Sequence, residues 1–248
     1  MALIKTTEQI EKIRYSSKIL AKLLLELKTI IKPGVKLIDI DEFADNYIRS
    51  NNGIPSFIGF HGYPNATCIS VNEDVIHGIP TKYSLKEGDI VGVDVGMSTD
   101  GCLGDTAYTY AVGEISDEKK KLIDVTEKSL YIGIEKAIKG NRVGDISNAI
   151  QVYAESNGFS LVREYCGHGV GLAVWEEPSI PNVGIAGRGM RLRNGMVIAI
   201  EPMVNIGSHN IIVKKDGWTV TTKDKKSSAH FEHTILINDN NPEILTKI

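Results

Sequence analysis

The sequence is poor in cysteine, in net charge and in long apolar runs. Its three cysteines, Cys68, Cys102 and Cys166, are an odd number and include no CxxC pair, which favours a reducing compartment over a disulfide framework. With 28 Lys and Arg against 31 Asp and Glu, no net positive field favours nucleic acid as a partner. The N-terminus lacks the apolar core of a signal peptide, and no run reaches the roughly 18 apolar residues of a membrane span. These absences indicate a cytoplasmic protein with neither a membrane nor a nucleic-acid substrate.

What remains is the composition of a protein that buries a core, with 42% hydrophobic and 24% charged residues. Helical periodicity predicts four helices, at 6–27, 37–48, 117–139 and 145–157. Apolar and alternating runs predict strands at 90–95, 106–112, 196–201, 218–222 and 230–237. The mixed order of these elements predicts an α+β fold.

An internal repeat organises the chain. Three pairs of landmarks share one offset of 107 residues: His61 and His168, Leu85 and Leu192, and Asp94 and Glu201. We interpret the pattern as an old duplication within a single catalytic domain, 1–248, with pseudo-repeats at roughly 32–113 and 139–237. Each half is expected to lay helices on an antiparallel hairpin, and the two hairpins are expected to form one sheet with the helices on one face.

An acidic pair in the first half indicates a cation. Asp94 lies in the apolar run IVGVDVG, where alternation places it on a buried face. If the hairpin turns on Thr99 and Asp100, Asp105 lies directly opposite Asp94, and two like charges at that spacing repel. A buried carboxylate is costly unless it is paired or coordinated, so a cation between the two is expected.

The second half repeats this arrangement. Glu201 ends the run MVIAIE, Glu232 lies in the returning strand, and glycines on both sides leave the His168 imidazole room to reach the sheet. Four carboxylates and one imidazole favour Mn, Fe(II) or Co over a thiolate zinc site, and they suit two ions better than one. Each residue alone has an ordinary structural explanation, as an edge or turn residue. Without a metal, however, the set as a whole would leave several buried acids unpaired. His209 is expected to be solvated, and His233 to pack on the face opposite Glu232.

The chain resembles the bacterial type I methionine aminopeptidases over essentially its whole length. The matching stretches are NATCISVNEDVIHGIP, GDIVGVDVG, GDTAYTY, REYCGHGVG, IAIEPM and KDGWTVTTKDKKSSAHFEHTILI. The resemblance implies the pita-bread (creatinase/aminopeptidase) fold with two pseudo-symmetric halves. It also implies two divalent ions and five ligands: Asp94 on one ion, Asp105 and Glu232 bridging both, and His168 and Glu201 on the other.

The resemblance also assigns the catalytic and substrate-binding residues. Glu201 is similar to the general base that takes a proton from a metal-bridging water, and His77 to the histidine that contacts the scissile peptide. By the same resemblance, the slot for the methionine side chain would be lined by Phe57, Phe60, Tyr63, Cys68 and Trp218. A flexible thioether suits such a lining, since sulfur gains from aromatic contacts. Asn72 and Ser228 match positions that can hold a monovalent cation.

The sequence departs from the family pattern after the GHG motif. Where relatives have Gly-Phe-His-Glu-Glu-Pro, this chain has Ala-Val-Trp-Glu-Glu-Pro, so Trp175 replaces a substrate-contacting histidine and Val174 a phenylalanine. Both changes concern the substrate, and neither removes a metal ligand.

The resemblance implies hydrolytic removal of the initiator methionine, with a small second residue preferred. Its partners would be nascent polypeptide N-termini and, transiently, the ribosome, and a monomer is expected. Prolidase or aminopeptidase P is the sister possibility, although those enzymes carry a large extra N-terminal domain. A binding module that has lost its chemistry is the non-enzyme alternative, and the Trp175 change is the one feature in its favour.

Overall fold

The four predicted α-helices are present in the computed structural model, which describes residues 3–239 and 241–247. They are α1 (Thr7–Ile30), α2 (Leu37–Ser50), α3 (Asp117–Ile134) and α4 (Val143–Ser156). Helix α1 begins at a capping box. The Gln9 main-chain N–H donates to the Thr6 hydroxyl, and the Thr6 main-chain N–H donates to the Gln9 side-chain oxygen.

Helix α3 ends earlier than predicted. It stops at Ile134, not at 139, because the N–H groups of Lys136 and Ala137 donate to the carbonyls of Gly133 and Ile134, three residues back. Such bonds tighten the last turn and end an α-helix. The chain then reaches Gly140, which has a φ of +96°, within a turn.

The described residues form fifteen strands, most of them short. They are β1 (Ile54–Pro55), β2 (Thr67–Val71), β3 (Asp74–Ile76), β4 (Ile90–Thr99), β5 (Cys102–Ala111), β6 (Ser160–Leu161), β7 (Gly167–Gly169), β8 (Glu176–Ile180), β9 (Val197–Ile200), β10 (Met203–Asn205), β11 (Ile211–Val213), β12 (Val220–Thr222), β13 (Ser228–His230), β14 (His233–Leu236) and β15 (Glu243–Ile244). A 3₁₀ turn lies at Phe60–Gly62.

The strands form four antiparallel sheets and not the single sheet that the repeat predicts. In the first half, β1, β4 and β2 are neighbours and β5 pairs with β4, whereas in the second half the order is β15-β14-β9-β7-β8. Two three-stranded sheets, β13-β10-β6 and β11-β12-β3, complete the arrangement. An isolated bridge between Ala107 and Glu232 links the two halves, so they meet at a carboxylate-bearing residue.

The register of the β4–β5 hairpin corrects one prediction. Asp105 pairs with Gly96, and Asp94 pairs with Ala107, so the two aspartates are not directly opposite. The turn is centred on Asp100 and Gly101, which both have positive φ, as an Asp-Gly two-residue hairpin loop requires. Because side chains alternate with period two, this shift leaves both carboxylates on one face, as diagonal neighbours.

Each half has its own core. One core packs α1 and α2 on β4 and includes Leu20, Leu24, Ile40, Val93 and Val95. The other packs α3 and α4 on the second sheet and includes Leu122, Ile146, Ile150, Ile198 and Ile235. The helices cover the sheets from outside, and the strands that they support carry the acidic residues. Among the described residues, no helix is both long and apolar enough to cross a membrane.

We predict that the contact between α1 and β5 at Gly104 cannot accept a methyl group. A Cβ at Gly104 would lie 2.9 Å from the Ser17 Cα, whereas one at Gly92 on β4 would meet nothing closer than the Thr109 Oγ1 at 3.5 Å. Gly104→Ala should lower the free energy of unfolding by about 1–3 kcal/mol, and Gly92→Ala should change it by less than about 0.5 kcal/mol. Urea unfolding of both variants is the measurement, and equal effects would contradict the predicted close contact.

Candidate metal centre and substrate cavity

Two strands and the junction between two others bring the acidic side chains together. β4 carries Asp94, β5 carries Asp105, and Glu232 lies between β13 and β14. The Glu232 N–H donates to the Ala107 carbonyl at 3.0 Å, which joins Glu232 to the strand of Asp105. The Thr234 hydroxyl donates to the Asp105 carbonyl at 2.7 Å and tightens the same junction. Main-chain pairing therefore holds carboxylates at positions that their charges alone would disfavour.

Glu201 directly follows β9 and faces two histidines. Its Oε1 lies 3.5 Å from the His168 Nε2, and its Oε2 lies 3.3 Å from the His230 Nε2. The His168 Nδ1 lies 2.9 Å from the Gly169 carbonyl. A ring nitrogen this close to a carbonyl is its donor, which leaves the His168 Nε2 lone pair directed into the site, as a metal ligand requires.

The donor atoms fit a metal ion. One ligand atom each from Asp105, His168 and Glu232 lies within 4.8 Å of the others. The Asp94 Oδ1, Asp105 Oδ1 and Glu232 Oε1 atoms are buried and have no hydrogen-bond partner within the part of the chain that the structure describes. Buried carboxylates without partners are costly, and hard divalent cations are the partners that oxygen donors prefer. The residues present are therefore suited to divalent ions.

The electrostatics of the protein alone show the same need for positive charge. Burial, reinforced by Glu201, raises the pKa of Asp94 to about 7, although His230 opposes the shift. Burial also raises the pKa of Asp105 well above its usual value, with Asp94 and then Glu201 adding to the effect. Glu232 behaves in the same way, because burial and the Asp105 charge both raise its pKa. Protons and metal ions therefore compete for these oxygens.

A cavity of about 620 Å³ opens above this group. Its lining includes Asp94, Asp105, His168, Glu201, Glu232, His77, Phe57, Phe60, Tyr63, Cys68, Trp175 and Trp218, which are all the predicted ligand, catalytic and pocket residues. The structure thus brings the full set together around one space. Their individual roles stay predictions.

One wall of the cavity is apolar. Phe57, Tyr63 and Cys68 form a buried cluster, and Trp218 contacts Tyr63 edge-on, with ring centroids 5.1 Å apart. The Tyr63 hydroxyl shares its hydrogen between the carbonyls of Thr67 and Gly78, at 3.0 and 2.9 Å. The polar end of Tyr63 therefore points away from the cavity, and its ring surface is left to the slot.

His77 follows the last residue of β3 and adopts a left-handed conformation with a φ of +56°. Its ring contacts that of Tyr165 edge-on at 5.5 Å. Burial lowers the pKa of His77, so the ring is neutral near pH 7. A neutral imidazole can donate one hydrogen bond to a carbonyl without adding a positive charge beside a site suited to divalent cations.

Comparison with known proteins identifies the family of this chain. Residues 11–239 match the model of metallopeptidase family M24. A methionine aminopeptidase of Clostridium perfringens is 50% identical over the full length of both chains, and methionine aminopeptidase 1 of Bacillus subtilis is 48% identical over the same span. The crystal structure of the Thermotoga maritima methionine aminopeptidase, 47% identical, superposes over both whole chains with a TM-score of 0.98.

The chain belongs to metallopeptidase family M24. The predicted resemblance to methionine aminopeptidases, the pita-bread fold and the assignment as a hydrolytic enzyme are all confirmed. A prolidase of Pyrococcus furiosus superposes with a TM-score of 0.82, but at 23% identity and with 66% of its own chain covered it shares the fold alone. The duplication and the ligand assignments stay predictions.

Val174 and Trp175, two of the three positions that depart from the family pattern, lie side by side on the cavity wall. Val174 packs against the cluster of Phe57, Tyr63 and Cys68. Trp175 also lines the cavity, but 47% of its surface is exposed. An indole at this place presents one neutral N–H donor, where an imidazole could also become a cation.

His230 is the site residue that the sequence analysis missed. It is buried, and its ring contacts Glu201. Its main-chain N–H donates to the Thr109 hydroxyl at 3.0 Å. A signal was available, because His230 precedes Glu232 by two residues in a predicted strand and period-two alternation places both on one face. His233, in contrast, packs away from the site, with its Nδ1 2.9 Å from the Thr246 hydroxyl.

Asn72 and Ser228 are neighbours, as a shared cation site requires. The Ser228 N–H donates to the Asn72 carbonyl at 2.8 Å. The Asn72 side-chain oxygen already accepts the Lys119 ammonium at 2.8 Å and the Ile90 N–H at 3.2 Å. An amide oxygen has two lone pairs, so a monovalent cation here would depend on main-chain carbonyls.

The raised pKa of Asp94 predicts how the metal-free M24 enzyme responds to pH. Between the ordinary value of 3.8 and about 7 the folded protein holds a proton that the unfolded chain has released, so stability falls as pH rises through this window. Asp94→Asn should flatten that slope, which urea unfolding at several pH values measures.

The fully exposed Asp117 supplies the control, because Asp117→Asn should leave the slope unchanged. Adding Mn²⁺ at pH 7 should recover stability in the parent, since an ion replaces the lost proton. A slope that Asp94→Asn does not alter would contradict the prediction.

Proposed function

We propose that this M24 enzyme removes the initiator methionine from nascent polypeptides with two divalent ions bound by Asp94, Asp105, His168, Glu201 and Glu232. One observation carries the proposal: unpartnered buried carboxylates form the floor of a cavity whose wall is apolar and aromatic. The floor suits metal-assisted hydrolysis, and the wall suits an unbranched thioether side chain. Mn, Fe(II) and Co fit the oxygen-rich donor set.

The side chains divide the work of peptide hydrolysis. When bound, the ions would lower the pKa of a water molecule and polarise the scissile carbonyl. Glu201 takes the proton of the attacking water as the new C–O bond forms, and it gives that proton to the leaving amine as the C–N bond breaks. His77 donates a hydrogen bond to the substrate peptide. Glu201 is well placed for proton transfer, because its carboxylate borders the cavity with the His168 and His230 rings on either side, at 3.5 and 3.3 Å.

The apolar wall sets the preference for methionine. A flexible thioether fills an irregular slot and gains sulfur–aromatic contacts with Tyr63 and Trp218. A charged side chain would lose its water without compensation there. The preference for a small second residue comes from the family resemblance.

The proposal includes where the enzyme meets its substrate. Exposed lysines cluster around the β11–β12 hairpin that leads to Trp218: Lys214, Lys215, Lys223, Lys225 and Lys226. Two carboxylates, Asp216 and Asp224, lie among these lysines, so five positive charges face two negative ones and the hairpin surface stays basic. Such a surface can contact ribosomal phosphates transiently, without nucleic acid being a substrate. A monomer in the cytoplasm, where free Cys68, Cys102 and Cys166 are stable, fits this role.

The proposed reaction predicts metal-dependent cleavage of a Met-Ala-Ser peptide. Activity should vanish after chelation and return with Mn²⁺, Co²⁺ or Fe²⁺. Glu201→Gln should lower turnover by about 10²- to 10⁴-fold, because the proton acceptor is lost. Glu114→Gln, on an exposed side chain, is the control. Full activity of the stripped enzyme would refute the metal requirement, and equal cleavage of Lys-Ala-Ser would refute the pocket.

Trp175 is predicted to limit turnover. A missing donor to the developing oxyanion costs on the order of 3 kcal/mol, which is about a hundredfold in rate. Trp175→His, alone or with Val174→Phe, should therefore raise kcat on Met-Ala-Ser, with the larger gain in the double variant. Steady-state kinetics of the three proteins is the test. If neither variant is faster than the parent, this position does not limit catalysis.

A further inference from the structure

A buried carboxylate outside the metal centre holds the chain segment that carries Val174 and Trp175. Glu176 begins β8, and its Oε1 accepts the N–H groups of Leu172 and Ala173 at 2.6 and 3.0 Å. The next two residues, Val174 and Trp175, both line the substrate cavity. The Glu176 side chain therefore closes the turn from which that part of the cavity wall projects.

The second oxygen of Glu176 is bound by a residue from the start of the chain. The Lys5 ammonium donates to Glu176 Oε2, and the two side chains are only 1% and 3% exposed. The Lys5 main-chain N–H donates to the Gly195 carbonyl at 2.8 Å, in the turn just before β9. Lys5 thus connects the wall segment to the strand that leads to Glu201.

Close packing leaves this segment little freedom at its beginning. Gly171 has a φ of +136°, and a Cβ there would lie 2.7 Å from the Ile13 Cδ1 and 2.9 Å from the Lys5 Cε. The Gly171 carbonyl accepts the Leu103 N–H at 2.7 Å. Contacts from α1, from β5 and from Lys5 therefore meet at the base of the segment, whereas Trp175 at its end is half exposed.

We infer that Lys5 and Glu176 are positioning residues that hold the substrate-contacting segment 171–176 in place. Each oxygen of Glu176 has charge-assisted partners, which makes these hydrogen bonds short and directional. Removal of Lys5 leaves a buried carboxylate without its counter-charge, and the segment has to open for water to reach it. The effect on turnover rests on the proposed function, but the order of the segment does not.

The first measurement needs no substrate. The chain has two tryptophans, so Trp175 is the sole reporter in a Trp218→Phe background. Lys5→Met should raise the acrylamide quenching constant of Trp175 by up to about twofold, since a residue that is 47% exposed can roughly double its exposure at most. Lys5→Arg should retain the parent value, because it keeps the charge.

A matched control separates local order from loss of stability. Val125→Ala shortens a buried side chain of α3 in the other core, away from the segment, and should lower stability without changing the quenching of Trp175. If Lys5→Met lowers stability as Val125→Ala does and leaves Trp175 equally shielded, the inference is wrong. Should Lys5→Met fail to fold, Glu176→Gln replaces it, since the amide keeps an acceptor for Leu172 and Ala173 but loses the charge.

The second measurement is kinetic and uses the metal-loaded enzyme with its native tryptophans. Lys5→Met should lower kcat/KM for Met-Ala-Ser by about 10- to 100-fold, because a displaced wall misplaces the substrate. The affinity for Mn²⁺ should stay at the parent value. Parent-like kcat/KM in a variant whose Trp175 is more exposed would overturn the positioning role and leave the proposed function intact. An inactive parent would refute the proposed function, while the quenching result would still decide the order of the segment.

Discussion

Like-charged carboxylates buried between the two halves of the protein are the constraint on which the rest of the structure depends. Asp105 and Glu232 are almost fully buried, and each retains an oxygen without a hydrogen-bond partner in the described residues. Their repulsion would separate the halves if the main chain did not hold them. The paired N–H and carbonyl groups of Ala107 and Glu232 supply that hold, and helices on the outer faces support the strands. A divalent ion then supplies the charge that the fold leaves missing.

Much of this site could be predicted from the sequence because strands alternate their faces. That period placed Asp94 and Asp105 together even though the predicted turn was wrong. Moving the turn onto Asp100 and Gly101 changed the partner of Asp105 to Gly96 but kept both acids on one face. The predicted register was wrong by two residues, and a shift by an even number leaves every side chain on its original face.

Tertiary packing decided what the sequence pattern could not. Alternation could have placed His230 on the face of Glu232, but its contact with Glu201, which lies 29 residues earlier at the end of β9, comes from tertiary packing. The separation into four sheets has a similar origin, since short strands such as β10 and β13 pair with each other beside the main sheets. Local propensity predicted the helices, but main-chain bonds in a 3₁₀ pattern ended α3 before Gly140.

The wall and the floor of the cavity depend on different kinds of structure. Paired strands place the acids of the floor, whereas a loop places Val174 and Trp175, where this chain departs from the family pattern. A loop can change its substrate contacts without shifting a strand register, so substitutions there alter specificity or rate and spare the metal ligands. The integrity of such a wall then depends on whatever anchors the loop, which here is the Glu176 side chain.

Two buried carboxylates, Glu176 and Glu232, illustrate the two ways in which this chain stabilises an acid. Glu176 is paired with Lys5 and serves a structural segment. Glu232 lies where burial and Asp105 raise its pKa, and it keeps an oxygen free of hydrogen bonds. A lysine beside Glu232 would satisfy the charge but exclude a divalent ion by repulsion and by occupying the same oxygens. Leaving that charge unpaired within the protein is therefore what makes the site available for metal, and the burial of His77 as a neutral ring keeps a further positive charge away from it.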